Sequence, residues 1–348
     1  MNKLFSGIAF ILLLTSSCAV PKQTKISRLD LIKKRGELIC GVSGKIPGFS
    51  FLSIEGNYQG LDVDICKSFA AGILGDHKKV QFRPLTAAER FTALKTGEID
   101  LLSRNTTFTL SRDASGGNGL SFAPVVFYDG QGLMVKKESG INNIVDLKNK
   151  SICVGSGTTT EQNINDVFES KSLPYLPIKY QDLNQVIAGY LQGRCVAMTS
   201  DRSQLAAARS SFKNPENHII LNNILSKEPL APASNGVDYK LADSMRWIIF
   251  ALITAEEEGI TQFNIDEKLK IAEQNPQLKP LRRFFGIDGG LGEKIGLNND
   301  FAVKVIKATG NYGEIYERNL GRDSSVPIPR ELNKLYKNGG LHFSPPFN

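Results

Sequence analysis

The chain has 348 residues, 41% hydrophobic and 22% charged, a balance that fits a folded globular protein and excludes disordered, fibrous and polytopic membrane classes. Its 42 Lys and Arg against 35 Asp and Glu leave a net charge of +7. The basic residues fall in short scattered groups such as Lys33-Lys34-Arg35 and Arg282-Arg283, without the basic stripe that nucleic-acid binding requires.

Residues 1–18 read as an export signal: Lys3, an apolar run over 4–14 broken only by Ser6 and Gly7, then Thr15-Ser16-Ser17 ahead of Cys18. The run falls well short of the roughly 20 residues needed to cross a bilayer. Ser17-Cys18 resembles the lipobox of bacterial lipoproteins, with Thr15 where Leu is usual, so Cys18 is a candidate for lipidation. Cleavage after Ala19, with Ser17 and Ala19 as the small residues, is the alternative and releases a soluble protein. Either route takes the chain out of the cytoplasm.

Beyond the signal, extended segments alternate with helical ones. The pattern predicts strands at 37–43, 79–84 and 99–103, helices at 63–74 and 87–95, and a turn at Gly56-Asn57. A second copy begins after Gly130-Gln131-Gly132. It has extended segments at 132–135, 151–155, 177–180 and 195–199, helices at 160–170, 182–192 and 202–209, and an end near 218–225. Such alternation is the pattern of parallel strands joined by helical crossovers. Pro229-Leu230-Ala231-Pro232 reads as a stiff connector. From 239 to 257, Leu241, Met245, Ile248, Leu252 and Ala255 recur at helical spacing and predict a long helix.

The length suggests two domains. We place the first at 24–130, the second at 131–230, and a return to the first, with a helical extension, at 231–348. The chain then crosses between lobes near 128–133 and 229–234, and two crossings restrict motion to a hinge. Four cysteines remain after Cys18, an even count in a chain bound for an oxidising compartment. We expect bridges Cys40–Cys66 and Cys153–Cys195, one in each domain; buried free thiols are the alternative.

In open α/β sheets, ligands bind beyond the carboxyl ends of strands. Three polar clusters occupy such positions: 104–113, Gly155-Ser156-Gly157-Thr158-Thr159-Thr160-Glu161, and Ser200-Asp201-Arg202-Ser203. Gly60-Leu61-Asp62-Val63-Asp64, Ser103-Arg104-Asn105-Thr106-Thr107-Phe108-Thr109, Gly157-Thr158-Thr159-Thr160-Glu161 and Gly310-Asn311-Tyr312-Gly313-Glu314-Ile315-Tyr316 carry a resemblance. Taken together, over essentially the whole mature chain, they are similar to the periplasmic solute-binding proteins of amino-acid ABC transporters (type II, family 3), in particular the general L-amino-acid subgroup.

The resemblance implies an α/β two-lobed periplasmic-binding-protein (Venus flytrap) fold, each lobe a mostly parallel sheet flanked by helices. It implies a periplasmic monomer without cofactor that binds a free L-amino acid and delivers it to the permease subunits of an ABC importer in the inner membrane. Carried over residue by residue, it assigns Arg112 to the ligand carboxylate, with Asn105 and Thr107 from the first lobe and Thr159 from the second. Asp201 takes the α-ammonium, and Thr160 and Ser103 are secondary candidates. Arg suits a carboxylate because its planar fork donates two parallel hydrogen bonds.

This sequence departs from the narrow-specificity relatives, in which two aromatic residues sandwich the ligand side chain. The matching positions are Ile46 and Ala87, a first-lobe carboxylate becomes Ser43, and only Phe49 and Phe108 are candidates to restore a wall. Broad specificity follows. The plainer readings are Arg112 paired with Asp113 on the surface, Thr158 to Glu161 as an ordinary helix start, and Asp201 as an N-cap.

Two rival functions share the scaffold: a cyclohexadienyl or arogenate dehydratase-like enzyme, for which Asp201 and Glu161 would be the acid/base candidates, and a ligand-binding sensory module. No G-x-S-x-G or Walker sequence occurs, and Thr160 replaces the third glycine of a dinucleotide fingerprint. His77, His218 and His342 are expected to be solvated.

Overall fold

Fourteen strands build three sheets among the residues that the computed structural model describes, 26–348. The expected export signal at 1–18, with Cys18, lies outside the described residues. In chain order the strands are β1 (Leu38–Val42), β2 (Lys45–Ile46), β3 (Ser50–Leu52), β4 (Tyr58–Gln59), β5 (Val80–Pro84), β6 (Leu101–Leu102) and β7 (Leu120–Phe122). They continue as β8 (Phe127–Lys136), β9 (Ser151–Gly155), β10 (Leu176–Tyr180), β11 (Ala197–Asp201), β12 (His218–Ile220), β13 (Lys227–Leu230) and β14 (Ala233–Asn235).

The first sheet runs β5-β1-β6-β14-β7 and the second β10-β9-β11-β8-β12. Both follow one plan. Three parallel strands connected by helices are completed by antiparallel strands: β14 beside β6 and β7, and β8 beside β11 and β12. The fold is the two-lobed periplasmic-binding-protein architecture. Two antiparallel segments carry the chain between the sheets. The first four residues of β8 pair with β13, and the rest of β8 pairs with β11 and β12.

In the first sheet, the helix Leu61–Leu74 packs behind β1. Gly60 starts it at φ 127°, and a Cβ there would fall 2.2 Å from the Phe49 carbonyl oxygen, so a side chain is excluded. Leu61, Ile65 and Phe69 of this helix share one core with Ile248, Ile249 and Leu252 of the helix Tyr239–Glu257 and with Val305 and Ile306 further on. The C-terminal third therefore completes the first lobe. Asn311 and Glu314 form a capping box on the helix Tyr312–Leu320. Its Arg318 donates to Asp64 at 3.0 and 2.7 Å, which joins the Gly60–Asp64 and Gly310–Tyr316 motifs in space.

Trp247, the single tryptophan of the chain, packs edge-on against Phe250 and Phe347 at 5.6 and 5.1 Å between ring centroids. His342 is not solvated as expected. It is buried against Tyr312 and Tyr128, and burial pushes its imidazole down to about 3.

The second sheet is covered on both faces, and the period of two along β8 makes this possible. Leu133 and Val135 face a core with Ile152, Ile164 and Phe168, while Met134 faces Val186, Tyr190, Met198 and Leu205 on the other side.

Disulfides join Cys40 of β1 to Cys66 of the helix behind it, and Cys153 of β9 to Cys195 just before β11, with Cα atoms 6.2 and 5.6 Å apart. Replacing Cys153 and Cys195 by serine opens a link between residues 42 apart in sequence, expected to cost about 3 to 4 kcal/mol through the freedom regained by the unfolded chain. Denaturant unfolding checks this; an unchanged midpoint contradicts it.

Candidate functional site

The three polar clusters converge between the lobes. The segment after β6 is held along the hinge: Phe108 N donates to Pro229 O at 2.8 Å, Ala231 N donates to Thr106 O at 3.0 Å, and Thr107 bridges to Leu230. Facing it, β9 ends at Gly155 and the helix Thr159–Ser170 begins. Thr158 caps this helix, its hydroxyl accepting from Glu161 N at 3.1 Å. Asp201 ends β11, ahead of the helix Arg202–Ser210.

A cleft results, with Asn105 and Thr107 on one side and Thr159, Thr160 and Asp201 on the other; Arg90 and Arg104 also line it. Of the residues proposed from sequence, these five are on the cleft surface. Arg112 is not. It lies buried behind Thr107, donating through one guanidinium nitrogen to the Thr107 carbonyl at 2.8 Å, and it makes no ion pair with Asp113. Ser103 is buried too, but its hydroxyl donates to Asp62 at 3.2 Å instead of facing the cleft.

The plainer readings divide. Thr158 and Glu161 are indeed a helix start, with Glu161 accepting from Gly157 N at 2.9 Å and pairing with Lys179 at 2.8 Å. Asp201 stands at the N-cap position of the helix Arg202–Ser210, but its side chain makes no capping bond and instead accepts from Gln204 at 2.8 Å while buried in the cleft.

No aromatic side chain lines the cleft among the described residues. Ala87 lines it, as expected, but Ile46 does not. Neither candidate wall forms. Phe49 is consumed by the core, edge-on to Phe127, and Phe108 lies stacked on Phe122. Neither ring faces the cleft.

Sequence reasoning missed Glu228, on β13. It is 1% exposed and accepts hydrogen bonds from Thr107 at 2.6 Å, Thr159 at 3.0 Å and Asn163 at 2.8 Å, with Ser226 a further donor. One hinge carboxylate thus holds donors from both sides, and Thr107 and Thr159 come within 3.3 Å of each other. Its only sequence signal is an acidic residue inside an otherwise apolar crossing. Arg90 and Arg104 were also missed, because a basic residue at a helix start or in a polar loop is ordinarily solvated.

Burial governs the electrostatics. It holds the Asp201 carboxyl well above the usual carboxylate range, with Asp129 and Glu228 adding repulsion. Burial also brings Asp129 up to about 6, and Asp62 likewise to about 6. The guanidinium of Arg112 is shifted downward by burial, and that of Arg104 to about 10. Asn105 sits at φ 40°, a left-handed conformation that non-glycine residues seldom adopt, and both polar atoms of its side chain are buried without a partner. The site therefore holds strained and under-satisfied polar groups of both signs, as a polar ligand would require.

Residues 38–322 match the family of bacterial extracellular solute-binding proteins, family 3. The chain is 45% identical over 347 residues to the general L-amino acid-binding periplasmic protein AapJ of Rhizobium johnstonii, covering 99% of each chain. It is 44% identical over 321 residues to the glutamate/glutamine/aspartate/asparagine-binding protein BztA of Rhodobacter capsulatus, covering 92% of this chain and 93% of the relative. An ABC transporter periplasmic binding protein from Brucella ovis, solved with glutathione bound, superposes with a TM-score of 0.88 at 42% identity, covering 93% of this chain and 100% of that one. With these likenesses spanning both lobes and the C-terminal extension, the chain belongs to the bacterial extracellular solute-binding proteins, family 3.

Proposed function

We propose that this protein is the extracytoplasmic substrate-binding subunit of an amino-acid ABC importer, closing its two lobes on a free L-amino acid and presenting it to the permease. The observation that carries the reading is a buried acidic group on the cleft, Asp201, with a buried guanidinium, Arg112, directly behind Thr107 of the facing wall, neither in an ion pair with the other or with a neighbour. A zwitterion bridges them. Arg112 has further donors for the carboxylate beyond the one given to Thr107. Asn105, Thr107 and Thr159 add polar contacts, and the free amides at the start of the helix Thr159–Ser170 add positive potential. Asp201 takes the ammonium. Thr160 lines the same wall, whereas Ser103, spent on Asp62, is left out of the ligand set.

The names of the relatives support this reading, as does the glutathione-bound neighbour, since glutathione carries an α-amino acid head group. A dehydratase would need an acid/base pair in the cleft. Glu161, its second candidate, is occupied by Lys179 and Gly157 and does not line the cleft, which favours binding without chemistry.

With no aromatic clamp, selection among side chains should be loose. A thermal-shift panel of the common amino acids should show several that raise the melting temperature, since a ligand at about 100 times its Kd adds about 2.7 kcal/mol. A response to none contradicts the function; a response to one contradicts the breadth.

Arg112→Ala should weaken alanine and glutamine binding at least a hundredfold, about 3 to 5 kcal/mol, by leaving a buried carboxylate unpaired. Titration calorimetry showing less than a tenfold loss removes Arg112 from the site.

The raised Asp201 sets a pH dependence. The ammonium needs the ionised carboxylate, so below the raised pKa of the free protein each binding event must expel a proton, and affinity should fall by roughly tenfold per pH unit. Calorimetry in buffers of different ionisation enthalpy reads the proton directly. Asp201→Asn should flatten the profile while weakening binding throughout.

A further inference from the structure

The backbone groups of a β-strand need partners on both edges. Tyr128 of β8 stands opposite Pro229 of β13. Pro229 has no N–H to give, and its carbonyl accepts from Phe108 N at 2.8 Å. Both backbone groups of Tyr128 go to one side chain 205 residues further on: Tyr128 N donates to Asn333 Oδ1 at 2.7 Å, and Asn333 Nδ2 donates to Tyr128 O at 3.1 Å. A carboxamide carries one acceptor and one donor group, as a peptide does. Asn333, 3% exposed, therefore takes the place of a neighbouring strand on the outer edge of the crossing.

The C-terminal extension anchors this contact. Arg330 donates through Nε and Nη2 to the Asn333 carbonyl at 3.1 and 2.8 Å, and the same guanidinium holds Glu256 of the helix Tyr239–Glu257 at 2.6 and 3.1 Å. Glu331, between them, sits at φ 42°, a left-handed conformation that its surroundings must maintain. Two more contacts reach the same stretch of β8. Tyr312 donates its hydroxyl to Val126 O at 2.8 Å, and the buried His342 ring lies 5.3 Å from that of Tyr128. Up to residue 128 the first crossing belongs to the first lobe.

The next residue belongs to the second. Asp129 accepts from Ser203 N at 3.2 Å, at the start of the helix Arg202–Ser210, and from Gln131 onward β8 pairs with β11. The other crossing changes hands at the same level. Pro229 is held by Phe108 of the first lobe, while Glu228, besides Thr107, takes Thr159 and Asn163 of the second. Tyr128 pairs with Pro229 and Asp129 with Glu228. The two changes face each other across one strand pair and define an axis.

We infer that Asn333 is a positioning residue for lobe closure: by clasping Tyr128 it confines the bend of the first crossing to the peptide between Tyr128 and Asp129, opposite the one between Glu228 and Pro229. The C-terminal extension thereby sets the axis on which the lobes turn and narrows the range of open conformations. A narrower open ensemble leaves a larger fraction of molecules ready to close, which raises apparent affinity without any contact to the ligand. Asn333 does not line the cleft, so its effect is the same for every amino acid.

The test is double electron-electron resonance on the ligand-free mature protein, with spin labels on cysteines introduced by Ile54→Cys in the first lobe and Lys171→Cys in the second, both exposed positions. The four cysteines in disulfides escape labelling. Asn333→Leu keeps the volume and removes both hydrogen bonds; Asn333→Ser removes them with a small polar side chain and covers the case in which the first variant does not fold. In either, the distribution of distances between the lobes should widen about twofold. Titration calorimetry should show alanine and glutamine weakened by the same factor, about tenfold. Trp247→Leu is the control: it loosens packing against Phe347, away from the hinge, and should lower the melting temperature while leaving distances and affinities at their wild-type values.

An unchanged distance distribution in the Asn333 variants overturns the inference even if they melt at a lower temperature, because the contact is then structural only. Equal widening in Trp247→Leu also overturns it, as general loosening of the first lobe. So does a loss of affinity confined to one amino acid, which would place Asn333 in ligand selection. The distances are read without ligand, so a wild type that binds no amino acid overturns the proposed function while the distances still decide on the clasp.

Discussion

Burying an ionised side chain costs several kcal/mol unless a counter-charge comes with it, and a cleft that buries both signs without letting them meet keeps that cost unpaid. Asp201 on the cleft surface and Arg112 buried behind Thr107 of the facing wall are in this position. They stand on segments from different lobes, after β6 and at the end of β11, so the backbone frame sets their separation. A molecule with one charge satisfies one of them and leaves the other stranded. In the function proposed above, a dipolar molecule would satisfy both, and only with the lobes together. On that proposal, selection of an amino-acid head group and closure of the lobes would become one thermodynamic event.

The hinge takes part in the same arrangement. Glu228 lies on β13, paired to β8, and gathers hydroxyls and an amide from both sides of the cleft. A carboxylate with three or more donors is well satisfied without a cation, so it adds negative potential near Asp201 while needing no counter-ion of its own. That potential, with Asp129 behind it, raises the proton affinity of Asp201, and on the proposed function it would attract an ammonium by the same physics.

The helix Tyr239–Glu257 was legible because its apolar residues repeat at helical spacing over five turns, and the strand at 151–155 because it is a short apolar run before turn residues; the strand read at 177–180 falls within the observed Leu176–Tyr180. The length of β8 was not. The sequence reading has 132–135 extended and 128–133 only as a crossing between lobes, because the partner strand of residues 127–130 is Lys227–Leu230, far along the chain, where no local signal reaches. The mostly parallel character held for three strands of each sheet, while the antiparallel β8 and β14 follow from the chain crossing between lobes.

For the site, the polar clusters after strands were visible because the strand-to-helix pattern located them. The position of each side chain was not. Ser103 and Thr107 are both polar residues of the same segment, yet one turns to Asp62 and the other to Glu228. Arg90 reads as the solvated face of a short helix until the surrounding lobe covers it. The lone Trp247 has a practical corollary. It is packed between Phe250 and Phe347 on the C-terminal side of the first lobe and does not line the cleft. Intrinsic indole fluorescence would therefore track melting of that lobe while remaining blind to occupancy, and an optical assay for occupancy would need an extrinsic dye placed on the rim.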